Sequence, residues 1–293
     1  MNTKVLTSEV DCRKYWELFS PHETLYDEWD FRMCFAKQLA SNLHFILLLQ
    51  GKEQVGLIPL VEEDGKYMLF GGDYPDQNRI FLKDKSLLKQ AIAACPSPAK
   101  IRYLRQDQQV DDVLLPETNE YTYRYYLDLT KHNSLESFMS TMSKKHRKNL
   151  KSDLKDVALL NPAVSTDQFD FKKFVFLQVK NFGDESYFSD ENMVKGFEEL
   201  MNWAKQQGKL RTISILVNGV IESMSVSIFH KGIWTFLNSA TNKSIPNLGK
   251  FLIATTLKAA MTEHCTEFDA MSYDLGWKQL WNLEKQPLFY FEK

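Results

Sequence analysis

The sequence predicts an α+β protein in which one sheet-and-helix unit occurs twice. Three observations lead there. Hydrophobic alternation marks strand runs separated by glycine turns, between residues 44 and 70 and again between 210 and 239. In each stretch a polar loop, a helical segment and a further short strand follow in the same order. Gly51, Gly65 and Ile101 match Gly219, Gly232 and Phe268 at a nearly constant offset of about 167 positions, which is how a duplicated unit shows itself.

At 293 residues the chain has room for one large domain or two ordinary ones. Apolar residues at 44% and charged residues at 25% sit near globular averages, so a sizeable core is expected and disorder is not. The formal net charge of −2 argues against nucleic-acid binding by the whole surface and leaves that task to local basic patches. Cys12, Cys34, Cys95 and Cys265 show no paired spacing, which predicts reduced thiols rather than a zinc site or a disulfide framework. No metal is expected. Met1 to Leu18 is charged and lacks the apolar stretch of a secretory signal, and runs such as Phe45 to Leu49 are only strand-sized. A cytoplasmic protein is the expectation.

Residues 1–30 are mixed, anchored by Tyr15, Trp16, Phe19, Tyr26 and Trp29 and broken by Pro21. Helical spacing of Met33, Phe35, Ala36, Leu39, Ala40 and Leu43 predicts a helix from Phe31 to Leu43. Strands follow at His44–Gln50, Gln54–Val61 and Tyr67–Phe70, then the loop from Gly71, a helix at Ser86–Cys95 and a strand at Ile101–Leu104. Asp107–Pro116 reads as an acidic loop and Tyr121–Leu129 as a strand. A division near residue 130 separates an N-terminal half (1–130) from a C-terminal half (131–293).

The C-terminal half opens with the most charged helix, predicted as one piece from Ser134 to about Leu159, followed by helices at Asp170–Phe182 and Asn192–Gln207. Strands at Leu210–Val217 and Val220–His230 flank Asn218-Gly219, a strong hairpin signal, and a third runs from Ile233 to Ser239. A loop ending Pro246-Asn247-Leu248-Gly249 then leads into an amphipathic helix from Lys250 to about His264 and a strand at Phe268–Met271.

Two sets of residues draw attention by pattern alone. On the charged helix Lys144, Arg147, Lys148, Lys151 and Lys155 share one face, while Leu150, Leu154 and Val157 lie on another. A stripe of one sign suits a polyanion, such as the phosphates of coenzyme A, a tRNA or an anionic acceptor; it equally reads as a solvated face. Glu222 projects from the face of its strand shared by Met224, Val226 and Ile228, which makes it the candidate general base, or else an exposed strand-end acid. His230 and His264 read as surface residues at element ends.

The tail carries a more specific signal. Asp269, Asp274, Lys278 and Trp281 fall at the spacings of Asp-Phe-Leu-x-Gly-Asp-x-x-Tyr-Lys-x-x-Trp, with Trp277 in place of the tyrosine and Tyr273 in place of the glycine. In this the chain resembles the GNAT-like (GCN5-related N-acetyltransferase) family of cellulose and exopolysaccharide biosynthesis, the CelD/BcsL-type acyltransferases. The Fem-type transferases, which use aminoacyl-tRNA, carry a similar Phe-Lys-x-x-Phe ending.

The resemblance implies two tandem GNAT-like halves in one α+β body, with mixed, mainly antiparallel sheets flanked by helices. It implies acyl transfer from acyl-coenzyme A, or an acyl carrier protein, to an amine or hydroxyl by direct attack. A Fem-type aminoacyl-tRNA transferase and a non-catalytic binding module are the alternatives. The donor pyrophosphate would sit on the loop at Ser244, Asn247, Gly249 and Lys250, where a helix N-terminus presents N–H groups; the same loop also reads as a plain helix start. Backbone N–H from Leu237 to Ser239 would hold the oxyanion. Lys278 would act as a fixed cation, against the alternative of a snorkelling surface lysine, and Tyr273 would reprotonate the leaving thiolate. Arg147, Lys148, Lys151, Trp277, Trp281 and Asp269 are the expected substrate contacts, Asp269 doubling as a structural acid. The equivalent N-terminal loop has Asp73 and Asp76, which would repel phosphate, so the C-terminal half is expected to hold the donor.

Overall fold

The computed structural model describes residues 1–38, 42–72, 74–105, 115–116, 123–272, 274 and 276–293. The expected Asp107–Pro116 loop, together with Leu39, Ala40, Asp73, Tyr121 and Tyr273, lies wholly or mostly outside them.

The N-terminal part runs β1 (Asn2–Leu6), α1 (Glu9–Phe19), α2 (Trp29–Ala36), β2 (Asn42–Gln50), β3 (Glu53–Glu63), β4 (Lys66–Leu69), β5 (Phe81–Leu82), α3 (Leu88–Ala94), β6 (Lys100–Arg105), β7 (Leu115–Pro116) and β8 (Tyr123–Asp128). The C-terminal part runs α4 (Leu135–Ser140), α5 (Lys144–Ala158), β9 (Ala163–Ser165), α6 (Phe171–Phe182), α7 (Glu191–Gln206), β10 (Leu210–Val217), β11 (Val220–His230), β12 (Ile233–Thr241), α8 (Leu248–Thr262), β13 (Glu267–Asp269), α9 (Trp277–Leu280) and β14 (Glu284–Glu292).

The fold is α+β, and the two halves repeat one topology. β2-β3-β4 and β10-β11-β12 are antiparallel meanders. The hairpins at Asp64-Gly65 and Asn218-Gly219 turn with positive φ at both residues, as the strand twist requires. After a helix, β13 returns parallel to β12, and β6 returns beside β4 through the parallel bridge Tyr67–Ala99. Among the described residues the strands form a five-stranded sheet, β1-β2-β3-β4 with β5 on β3, and a nine-stranded one, β6-β14-β8-β13-β12-β11-β10-β9 with β7 on β14.

Each half is completed by a strand from the far end of the other. β8, which ends the N-terminal stretch, pairs with β13. β14 pairs with β6, and β8 and β14 pair with each other. The core is correspondingly shared. One face of the large sheet packs on α4, α5 and α8 through Leu150, Val157, Ile213, Trp234 and Leu252. Its other face packs on α6 and α7, and there Phe31, Phe35, Tyr26 and Tyr74 from the N-terminal half join Phe174, Phe197 and Met224.

Some local expectations are corrected. The helix expected to run from Phe31 to Leu43 ends at Ala36, and Leu43 belongs to β2, whose run of alternating apolar residues the sheet claims. The helix expected from Ser134 to Leu159 is two. Ser143 caps α5 by accepting the His146 N–H at 3.3 Å, while Thr141 turns its hydroxyl back to Phe138 O at 2.8 Å. His230 is buried, with Nε2 3.6 Å from Glu28 Oε1; burial, then Lys209 and Lys231, hold its pKa down to about 4. All four cysteines are unpaired and buried, and burial pushes Cys12, Cys95 and Cys265 up to about 11 and Cys34 to about 12.

Candidate functional site

β12 and β13 pair only from Ile233 to Thr235 and from Glu267 to Asp269, and beyond that point they separate. The separation coincides with a bulge. β11 pairs Val226 with Asn238 and Ser227 with Phe236, so Leu237 has no counterpart across the ladder. An extra residue bends the strand and increases its local twist, which turns Asn238–Thr241 away from β13. α6 supports the departing strand: Asn181 Nδ2 donates to Thr241 O at 2.8 Å, and Gln178 Nε2 donates to Asn238 Oδ1 at 2.6 Å and also to Ser239 O. The Ser239 N–H is already given to Asn238 Oδ1 at 2.7 Å.

At the end of β12 the chain enters α8 through Asn247, whose φ of 64° is left-handed, a conformation Asn tolerates better than most residues. The N–H groups of Gly249 and Lys250 lie in the first turn of the helix, where no preceding carbonyl serves them. A side chain at Gly249 would meet only Thr241 Oγ1, at 3.9 Å, so the turn is open on that side. These features fit an anionic group in part. One residue opposes it: the Asp153 carboxylate, from α5, accepts Lys250 Nζ at 2.6 Å and Asn247 Nδ2 at 3.3 Å. It takes from Asn247 and Lys250 the contacts a phosphate would need. The charged helix and the loop before α8 are therefore neighbours, which their separation in sequence hides.

The other end of α5 leads to α9, where His146 Nε2 meets Leu280 O. Beside it lies the polar centre of the molecule. Met271, with φ 63°, takes a left-handed conformation that costs a non-glycine residue about 1–2 kcal/mol. Its surroundings hold it there. Its N–H donates to Asp269 Oδ1 at 3.0 Å, and its carbonyl accepts Lys278 Nζ at 3.1 Å and Tyr125 N–H at 3.0 Å. The next N–H, of Ser272, donates to Asp76 Oδ2 at 2.6 Å. One peptide group thus has the Lys278 ammonium at its oxygen and the Asp76 carboxylate at its nitrogen.

Asp76 belongs to the N-terminal half, as does Gln77, whose Nε2 donates to Asp269 Oδ2 at 2.8 Å. Arg32 fixes the segment that carries them, through Nη1 to Phe70 O at 2.6 Å and to Asn78 Oδ1 at 2.7 Å, Nη2 to Gln77 O at 2.9 Å, and Nε to Tyr26 O at 2.6 Å. Burial drives the electrostatics here. It lowers Lys278 to about 8, against the attraction of Asp76, Asp269 and Asp274, and raises Asp76 to about 6, against the Ser272 N–H and Lys278. At neutral pH Lys278 therefore carries its charge and Asp76 is largely ionised.

The expected site residues fall into two groups. Lys278, Asp269 and Trp277 stand where β12 and β13 part, and the Trp277 ring lies 5.8 Å from Phe236 in a T-shaped contact. Lys278 is 2% exposed and so is no surface lysine. Asp269 is committed to Gln77, Met271 and Arg124, the last with Nε at 3.5 Å. Trp281 is 1% exposed in the apolar core beside α5 and α8, which corrects its expected role as a direct substrate contact. Ser244, Asn247, Gly249 and Lys250 stand at the far end of β12. Glu222 stands there too, accepting Asn242 Nδ2 at 2.9 Å. Ser223 is level with Thr241 and Asp269 with Thr235, and the Met271 carbonyl that holds Lys278 Nζ lies two residues beyond Asp269, so Glu222 and Lys278 are separated along the strands by about 15 Å at 3.3 Å per residue. Arg147 is half-buried, with Nη1 on Ser140 O at 3.0 Å, while Lys148 and Lys151 are exposed. Sequence reasoning set Asp76 aside as a phosphate repellent and passed over Arg32 and Gln77, because nothing local shows that this loop reaches the other half.

Residues 137–279 match a family model described as an acetyltransferase (GNAT) domain. No curated protein sequence matches the chain. Among solved structures it resembles FemX with a TM-score of 0.62 and 11% identity, covering 100% of this chain and 98% of that one. L-PGS from Bacillus licheniformis gives 0.60 and 10%, over 98% and 92% of the two chains. A tandem GNAT protein from the clavulanic acid biosynthesis pathway gives 0.53 and 8%, over 99% and 97%. At such identities the likeness is one of fold, and the fold is that of tandem GNAT-like halves.

Proposed function

We propose that the protein is an acyltransferase that moves an acyl group from acyl-coenzyme A, or from an acyl carrier protein, to an amine or hydroxyl by direct attack. The observation that carries this reading is the bulge at Leu237, which opens β12 from β13 and leads to the left-handed turn at Asn247 inside the stretch matching the acetyltransferase domain. In this reading the C-terminal half, 131–293, holds the donor, and the N-terminal half, 1–130, lends Asp76 and Gln77 to the centre. A cytoplasmic location belongs to the same reading.

The donor supplies the activated thioester; this chain supplies the position and the charge. Asn247, Gly249 and Lys250, with Ser244 in the same loop, receive its phosphates at the start of α8 once Asp153 yields Lys250. Backbone N–H groups between Leu237 and Ser239 are the donors to the carbonyl oxygen as charge develops on it, that of Ser239 once Asn238 Oδ1 releases it. Lys278 is the fixed cation at the parting of the strands, and Tyr273 is the donor of a proton to the leaving thiolate. Trp277 and the Arg147–Lys148–Lys151 face guide the substrates. Glu222, at the other end of β12, does not take part as base at Lys278.

The test follows free thiol released from acetyl-coenzyme A against a panel of amines and alcohols, with and without ribonuclease. Thiol release that survives ribonuclease is expected. A second reading, aminoacyl transfer from tRNA, is favoured by the exposed cations of α5, about 16 Å from Lys144 to Lys155 at 1.5 Å per residue. Activity that vanishes with ribonuclease and returns with charged tRNA would establish that reading instead. A chain whose melting point a donor raises, but which turns over neither donor, would be a binding module.

A further inference from the structure

The basic stripe of α5 does not end in a charged residue. Lys148, Lys151 and Lys155 continue at helical spacing to Leu159, the C-cap, whose backbone is still helical and whose side chain is 70% exposed. Leu160 follows at 43%. The chain then enters β9, where Val164 is 50% exposed and pairs with Ile215, and Ala163 with Leu216. Leu216 leads directly into the hairpin at Asn218-Gly219, closed by the pair Val217–Val220, with Val220 47% exposed. Four large apolar side chains from the end of a helix, an edge strand and a hairpin therefore lie on adjoining elements at one end of the nine-stranded sheet, beyond a row of lysines.

Exposed apolar groups on this scale are unfavourable in water and mark a contact surface when they cluster. The charge beside them selects the partner. Among the described residues Lys144, Lys148, Lys151 and Lys155 make no ion pair. On the same helix Asp153 is neutralised by Lys250; Asp156 lies off the stripe and is the one exposed carboxylate of the last turn, three and four residues before Leu159 and Leu160. The acidic turn at Asp184, Glu185 and Asp190 belongs with α6 and α7 on the opposite face of the sheet. The surface is thus cationic along the helix and apolar at its tip.

We propose that this end of the C-terminal half docks on an anionic lipid surface, the lysines of α5 meeting the headgroups and Leu159, Leu160, Val164 and Val220 entering the headgroup–acyl boundary. Separate protruding ends of elements suit a fluid surface, which closes around them, better than a folded partner, which needs a matching relief. Lysine attraction and apolar insertion are the two contributions that together hold a peripheral protein at a membrane. The loop before α8 follows β12 at Thr241, level with Ser223 beside the hairpin, so docking would bring the proposed donor turn close to the lipid.

The experiment is co-sedimentation of the full chain with phosphatidylcholine vesicles, with and without about 30 mol% phosphatidylglycerol. Wild type should pellet only with the anionic vesicles. Lys151→Glu/Lys155→Glu should weaken binding about tenfold or more, and Leu159→Ser/Leu160→Ser should abolish whatever binding persists in high salt. Both pairs are exposed, so melting points should stay unchanged. No binding to anionic vesicles, or equal binding by the leucine variant, overturns the proposal. Lysine-dependent binding of an acidic acyl carrier protein without vesicle binding overturns it in favour of a protein partner.

Discussion

The third strand of each half is interrupted at the same place, and the two interruptions are used differently. In the C-terminal half the interruption is Leu237 alone, set between the pairs Val226–Asn238 and Ser227–Phe236. In the N-terminal half Phe70 N–H still reaches Pro59 O, but the next pair on β3 is Leu57 with Phe81, so the described residues between them, 71–72 and 74–80, stand against Ile58 alone. This excursion seals its own half: Asn78 N–H donates to Tyr103 O at 2.8 Å and Asn78 O accepts Arg105 N–H at 3.2 Å, filling the space beside β6. It then delivers Asp76 and Gln77 to the other half. A short bulge leaves a mouth open, whereas a long one closes the mouth and becomes a reaching arm. One fold thereby yields a half suited to hold a ligand and a half suited to complete its site.

The comparison breaks if the arm is not held as described. Arg32→Met removes a charged donor from four buried acceptors and should lower stability on the order of 3–5 kcal/mol in urea unfolding. A loss below about 1 kcal/mol would mean that the arm stands without it.

The next effect reads the arm's tip. Asp76 holds its proton to about 6 in the folded protein, above the ordinary carboxylate value, so the folded state binds the extra proton between about pH 4 and 6. The stability this group contributes is fully present below about pH 4 and is lost as pH rises through about 6. Asp76→Asn should therefore be more stable than wild type at pH 7, on the order of 1–3 kcal/mol, with the gap closing at pH 4. A constant gap across that range would show that Asp76 does not titrate there.

The open half is tested by turnover. Lys278→Met should reduce it about tenfold or more, whereas Glu222→Gln, about 15 Å away along the strands, should change it less than about twofold. The reverse order would move the reacting centre to the far end of β12. The smallest effect concerns the mouth itself. Asp153→Asn withdraws the carboxylate from Lys250 and Asn247 and should lower the KM for acyl-coenzyme A about threefold. A raised KM would mean that Asp153 orients Lys250 for the donor.

Much of this architecture is legible in the sequence. The turn pairs Asp64-Gly65 and Asn218-Gly219 carry their hairpins by local chemistry, and the constant offset between the halves survives because turns tolerate few residue types. β14 is not legible: Lys285, Gln286 and Pro287 interrupt the apolar pattern, and the strand exists because β6 and β8 flank it. α1 was hidden by its exposed Val10 and Leu18, which blur an amphipathic face. In the site, the motif spacing marked Asp269, Asp274 and Lys278, but no local signal tells a buried lysine from an exposed one. The destination of the Asp76 arm is a tertiary fact. So is the meeting of α5 with α8, which joins Asp153 to Lys250 across chain segments far apart in sequence.

The exchanged strands also set the order in which this molecule can be made. β6 emerges from the ribosome well before its neighbour β14, which comes from residues 284–292, and Lys293 pairs its backbone with Ala99 while its Nζ caps α3 at Ala93 O and Cys95 O. The half that is synthesised first is therefore completed only after the second has been made. Until then the edge of β6 stays unpaired and open to wrong partners, the hazard of long-range pairing in a growing chain. Cutting the chain between its halves would leave each without the strand the other supplies, so the two halves, though visible as a repeat, depend on each other to close their sheets.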